Sequence, residues 1–110
     1  MEIIKSKIND VEVVEVNGRI DANNSKELEN SLTEIIESGG KKLIVDLAKL
    51  DYISSSGLRV FLCIAKKLEK QGLIYLSALQ PQVAQIFNIS GFNNIFTIFK
   101  DKKAALDNLK

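Results

Sequence analysis

The sequence predicts an α/β fold: a mixed, largely parallel β-sheet, opened by an N-terminal β-hairpin and covered by about four helices. Three observations lead there. Two Ile- and Val-rich runs, residues 2–8 and 11–17, are separated by Asn9-Asp10, a tight-turn dipeptide. Short apolar runs such as Leu43-Ile44-Val45-Asp46-Leu47 have the near-continuous character of strands buried on both faces. These runs alternate with longer segments whose apolar residues recur at helical spacing, which calls for crossover connections between parallel strands.

Taken in order, the hairpin comes first. Val11 and Val13 face one side of the second run while Val14 and Val16 face the other, so that strand should be interior. Gly18-Arg19-Ile20-Asp21 then leads to a helix. Asn24 followed three residues later by Glu27 has the form of a capping box, and Leu28, Leu32, Ile35 and Ile36 mark one helical face. Ser38-Gly39-Gly40 ends that helix as a C-cap would. A buried strand follows at 42–47, then a serine-rich loop and a helix from Ser56 to about Lys70, broken by Gly72. Leu73-Ile74-Tyr75-Leu76 reads as another interior strand. Pro81 suits the first turn of a short helix carrying Val83, Ile86 and Phe87, which Ser90-Gly91 stops. Residues Ile95 to Phe99 make the last strand, and Asp101 caps a terminal helix bearing Ala105, Leu106 and Leu109. The order is β-β-α-β-α-β-α-β-α, and residues 1–110 read as a single domain.

Composition narrows the function. The chain has 110 residues, 15 basic and 14 acidic, for a formal net charge of +1. That balance argues against nucleic-acid binding, which shows a concentrated basic face. Lys66, Lys67 and Lys70, like Lys100, Lys102 and Lys103, read as solvated flanks of helices. The chain contains no histidine, which removes serine–histidine and cysteine–histidine catalysis together with the commonest metal ligand. No metal or cofactor site is signalled. The one cysteine, Cys63, lies in the run Val60-Phe61-Leu62-Cys63-Ile64-Ala65 and reads as a small buried apolar residue. With no signal peptide and no run of membrane-spanning length, a cytoplasmic protein without membrane insertion is expected.

The chemistry concentrates at Ser54-Ser55-Ser56-Gly57, where a strand-type run gives way to a helix. Two readings stand side by side. One is a helix cap with a tight turn, Gly57 packing closely in the first turn. The other is a phospho-switch or small-anion site, because the N–H groups and dipole of a helix N-terminus favour negative charge. On that reading Gly57, lacking a side chain, allows another chain or ligand to approach. Arg59, one turn into the helix, is either a partner or phosphate contact or a solvated first-turn residue. Phe87 and Phe92 either pack under the sheet edge or form an exposed patch.

The order of elements, Gly18-Arg19-Ile20-Asp21 after the hairpin, and Ile53-Ser54-Ser55-Ser56-Gly57-Leu58-Arg59 before the second helix together resemble a STAS domain. More narrowly they resemble the stand-alone bacterial anti-sigma factor antagonists, over essentially the whole chain, Ala78 to Pro81 and Phe87 to Phe92 included. The resemblance implies a protein that binds an anti-sigma factor, itself a serine kinase, and so frees a sigma factor. Phosphorylation ends the binding, and a PP2C-type phosphatase is the implied counterpart. The family motif runs Asp-Ser-Ser/Thr/Ala-Gly-Leu, the residue after the aspartate being phosphorylated. On this chain Ser54 takes the aspartate position, Ser55 the phosphorylated one and Gly57 the glycine, with Ser56 the second choice for the phosphate and Ser54 the third. Asp21 matches the family's acidic residue in the loop after the second strand. The implied partner surface is Asp21, Ser54, Ser55, Ser56, Gly57 and Arg59.

Two other functions compete. Related domains serve as non-phosphorylated adaptor subunits of transporters or signalling scaffolds. A small nucleotide-binding or hydrolytic domain could use the serine loop as a phosphate cradle, but the chain has no Gly-x-x-x-x-Gly-Lys-Ser/Thr motif.

Overall fold

The structure is a computed structural model that describes residues 1–109. Strands β1 (Glu2–Ile8) and β2 (Val11–Ile20) form the antiparallel hairpin, with Asn9 at the turn in the left-handed region at φ 58°. Helix α1 (Ser25–Glu37), β3 (Lys42–Asp46), β4 (Leu50–Ile53), α2 (Ser55–Leu68), β5 (Leu73–Ser77) and α3 (Pro81–Ile89) follow. A 3-10 turn at Phe92–Asn94 then leads to β6 (Thr97–Phe99) and α4 (Lys102–Asn108). The sheet order is β1-β2-β3-β5-β6, and every pairing after the hairpin is parallel. The expected α/β class and interior second strand are both present.

The alternation along β2 decides how the layers assemble. Val14 and Val16 join Leu43, Val45 and Leu76 in a large core under α1, α2 and α3. Val11 and Val13 face the opposite way, with Ile44 and Ala105 of α4. Both faces of the central strands are therefore apolar, which is why Leu43, Ile44 and Val45 form an unbroken run. Phe61, Phe87, Phe92 and Phe96 meet in largely edge-on contacts with ring centroids 6.0–6.4 Å apart. Phe87 is fully buried and Phe92 half-buried, so these rings pack inside the fold.

Several expectations need correction. β2 does not stop at residue 17 but runs to Ile20. Its extension is held by a sixth strand, β4, in what reads from sequence as loop. β4 pairs parallel with β2 through Arg19↔Tyr52 and Ile20↔Ile53, after a register shift between Gly18 and Arg19. The last strand begins at Thr97, because Ile95 and Phe96 close the 3-10 turn through amides that donate to the Phe92 carbonyl. Asn24 forms no capping box: its backbone is nearly helical (φ −116°, ψ −1°) and its side chain makes no cap bond. Cys63 is half-buried, since it points along the groove between α1 and α2 and not into the core. The Asp101 cap is present, its Oδ1 accepting from the Ala104 amide at 2.8 Å.

Gly72 shows how tightly α2 is returned to the sheet. A Cβ there would lie 1.9 Å from the Lys41 carbonyl oxygen, the same oxygen that accepts from the Leu73 amide at 2.8 Å. Backbone cannot yield as a flexible side chain can. Gly72→Ala should therefore cost at least about 1–3 kcal/mol, the usual cost of overpacking, read as a lower urea midpoint. An unchanged midpoint would contradict this packing.

Candidate functional site

The site begins with the β2–β4 pair. Ile20 and Ile53 point inward and are almost wholly buried, so the residues that precede them, Arg19 and Tyr52, must point outward. The Ser54 amide donates to the Ile20 carbonyl at 2.9 Å and continues the pairing one residue past β4. That bond delivers Ser54 to the N-terminus of α2 beside the end of β2, where Asp21 follows.

Ser54 is the N-cap. Its backbone is extended (φ −87°, ψ 172°), its Oγ accepts from the Gly57 amide at 3.3 Å, and its carbonyl accepts from the Leu58 amide at 3.0 Å. Its Oγ is also hydrogen-bonded to Ser56 Oγ at 2.7 Å. The helix accordingly begins at Ser55, one residue earlier than the sequence suggests. Two of the three hydroxyls are thus occupied with each other and with the helix end. Ser55 is exposed, and its hydroxyl makes no hydrogen bond among the described residues. No acidic residue occupies the first turn of α2, so the partial positive charge of its N-terminus is not offset there.

Gly57 is buried, and the space beside it is filled from within. A Cβ would lie 2.6 Å from Ile20 Cγ2 and 2.7 Å from Ile53 Cγ1. The idea that its bare backbone leaves room for a ligand is replaced by internal close packing: the first turn of α2 rests directly on the β2–β4 pair. Asp21 is half-buried and engaged in a turn. Its Oδ1 accepts from the amides of Asn23 at 2.9 Å and Asn24 at 3.2 Å. Asn24 answers with Oδ1 accepting from the Asp21 amide and Nδ2 donating to the Arg19 carbonyl, both at 2.9 Å. These bonds replace the expected capping box and pin the loop before α1.

Arg59 is exposed and, with Ser56, Val60 and Cys63, lines a shallow groove of about 260 Å³ against Ser25, Lys26 and Glu29 of α1. The structure therefore gathers Asp21, Ser54, Ser55, Ser56, Gly57 and Arg59 at one end of the sheet. Sequence reasoning missed Arg19 and Tyr52. The Arg19 guanidinium carbon stands 4.6 Å from the Tyr52 ring centroid, and both residues are exposed. Leu50-Asp51-Tyr52-Ile53 has no period-2 alternation, its two middle residues both being exposed, so the sequence held no local signal for a strand that would turn Tyr52 outward.

Two outcomes follow for stability. Ser54→Ala should cost about 0.5–2 kcal/mol through loss of the cap, and Gly57→Ala about 1–3 kcal/mol through overpacking against Ile20 and Ile53. Urea denaturation checks both, and a Gly57→Ala protein as stable as the parent would contradict the close packing of α2 on the strand pair.

A STAS domain family model matches residues 2–105. BtrV of Bordetella bronchiseptica, which bears the name of an anti-sigma factor antagonist, is 38% identical over 106 residues, covering 96% of this chain and 91% of its own length. An anti-sigma factor antagonist structure from Mycobacterium paratuberculosis superposes with a TM-score of 0.91 at 22% identity, covering 97% of this chain and 92% of that one. The anti-sigma factor antagonist SpoIIAA in its unphosphorylated form gives a TM-score of 0.85 at 20% identity, over 98% and 96% of the two chains. The family model spans nearly the whole chain and the fold superposes on these structures; the chain belongs to the STAS domain family.

Proposed function

We propose that this protein is an anti-sigma factor antagonist switched by phosphorylation of Ser55. On this reading it is a regulatory binding protein and not an enzyme: a cytoplasmic STAS protein that binds an anti-sigma factor with serine kinase activity and releases a sigma factor. A PP2C-type phosphatase restores the binding form. The 38% identity to BtrV supports the antagonist role. One observation carries the choice of residue. Ser55 is exposed with a free hydroxyl, whereas Ser54 and Ser56 are bonded to each other at 2.7 Å and Ser54 also caps the helix.

The physical chemistry of this position suits a switch. A phosphoserine adds roughly −1.5 to −2 charges. At the N-terminus of α2 that charge is favourable by about 0.3–1 kcal/mol, so the folded state should tolerate it. Across an interface the same charge, opposed by a carboxylate or buried without a partner, costs several kcal/mol, and about 1.4 kcal/mol is tenfold in affinity. Binding is then lost without unfolding. Ser54 standing where the family has aspartate is consistent with this: a neutral hydroxyl keeps the cap and leaves Ser55 without an adjacent carboxylate. Asp21 contributes by fixing the loop next to the serines, and Gly57 by seating the helix.

The test is to incubate the protein with ATP and its cognate anti-sigma kinase, then map phosphate by mass spectrometry. Phosphate is expected on Ser55, and Ser55→Ala should bind the partner yet take up none. Full phosphorylation of Ser55→Ala would move the switch to Ser56 or Ser54. If no serine of the loop accepts phosphate, the non-phosphorylated adaptor reading replaces this one. The protein alone should turn over neither ATP nor GTP, and hydrolysis abolished by Ser55→Ala would overturn the non-enzymatic assignment.

A further inference from the structure

The chain has two arginines among its 15 basic residues, and both lie beside the serine loop. Arg19 is at the end of β2, outward on the β2–β4 pair, and Arg59 is in the first turns of α2. Both are exposed. Neither forms an ion pair among the described residues, whereas Lys5, Lys7, Lys26, Lys42, Lys49 and Lys103 each do. Glu29, the carboxylate that lines the groove with Arg59, is held by Lys26 at 3.6 Å. Arg19 is oriented by its stack on Tyr52, 4.6 Å from the ring centroid. A guanidinium held by its face on an aromatic ring keeps its in-plane N–H donors available.

Exposed and uncompensated guanidinium groups are the side chains best fitted to grip carboxylates two-pronged, which an ammonium cannot do. Arginine and tyrosine are also the residues over-represented among the few that dominate binding energy. We infer that Arg19, braced by Tyr52, and Arg59 form the recognition surface for an acidic segment of the anti-sigma factor, beside the serine loop. The inference rests on the function proposed above and names the partner's chemistry. It also gives the phosphate its target. A dianion on Ser55 repels the carboxylates the arginines receive and, four residues from Arg59 on one helix, has the spacing at which side chains meet.

The experiment measures binding of the unmodified protein to its cognate anti-sigma factor, by calorimetry at low and high salt. Arg19→Ala and Arg59→Ala are each expected to weaken binding about tenfold or more, with unchanged thermal melting and a shallower salt dependence. Arg19→Lys and Arg59→Lys, which keep the charge but lose the fork, should recover only part of the loss. Lys66→Ala at the far end of α2 serves as the control and should bind like the parent. If the parent binds and both alanine variants stay within about twofold of it, the arginine assignment is wrong while the antagonist reading stands. Equal binding by the lysine variants and the parent would reduce the surface to bare charge and overturn two-pronged recognition. A parent protein that binds no anti-sigma factor removes both.

Discussion

The contact on which the site depends is the seating of the first turn of α2 on Ile20 and Ile53. Gly57 lets the helix approach until its backbone meets those two side chains, both of them buried. The hydrogen bond from the Ser54 amide to the Ile20 carbonyl then fixes where the helix starts. With that start fixed, the cap falls to Ser54 and exposure falls to Ser55. A helix beginning one residue later would turn these roles around. The serine loop therefore has its chemistry assigned by packing beneath it, not by the hydroxyls themselves.

This arrangement separates stability from signalling. The groups that hold the loop are Ile20, Ile53, Gly57 and the Ser54 cap, together with the turn that Asp21 and Asn24 build through four hydrogen bonds. None of them is the hydroxyl proposed to carry the phosphate. A charge added at Ser55 meets a helix end without an acidic residue in its first turn, so the fold gains slightly or is indifferent. Its effect is felt by whatever approaches from outside. The two exposed arginines beside the loop give that approach a preferred sign.

Most of the fold was legible because both periods were clean. Val11 to Val16 alternates between the two cores, and Leu28, Leu32 and Ile35 recur on one buried helical face. What escaped notice was short or irregular. β4 has four residues, two of them exposed, and exists because the end of β2 offers a parallel edge after a register shift. No local pattern announces such a strand. The capping box at Asn24 failed for a related reason: its side chain is drawn away by the Arg19 carbonyl and the Asp21 amide, partners defined only once β2 extends to Ile20. The position of the serine site was readable, but its division of labour was not. Which of three adjacent hydroxyls is free depends on the 2.7 Å bond between Ser54 and Ser56. The Arg19–Tyr52 stack likewise depends on the unrecognised strand.

The central claim is that Ser55 carries a charge that acts on the partner and not on the fold. Calorimetric titration of the anti-sigma factor with unmodified and Ser55-phosphorylated protein, alongside thermal melts of both forms, tests it most directly. The account predicts a loss of affinity of about a hundredfold or more, corresponding to about 2.8 kcal/mol, with a melting temperature for the phosphorylated form no lower than that of the unmodified one. Equal affinities for the two forms, or a loss of binding that tracks a loss of thermal stability, would contradict it.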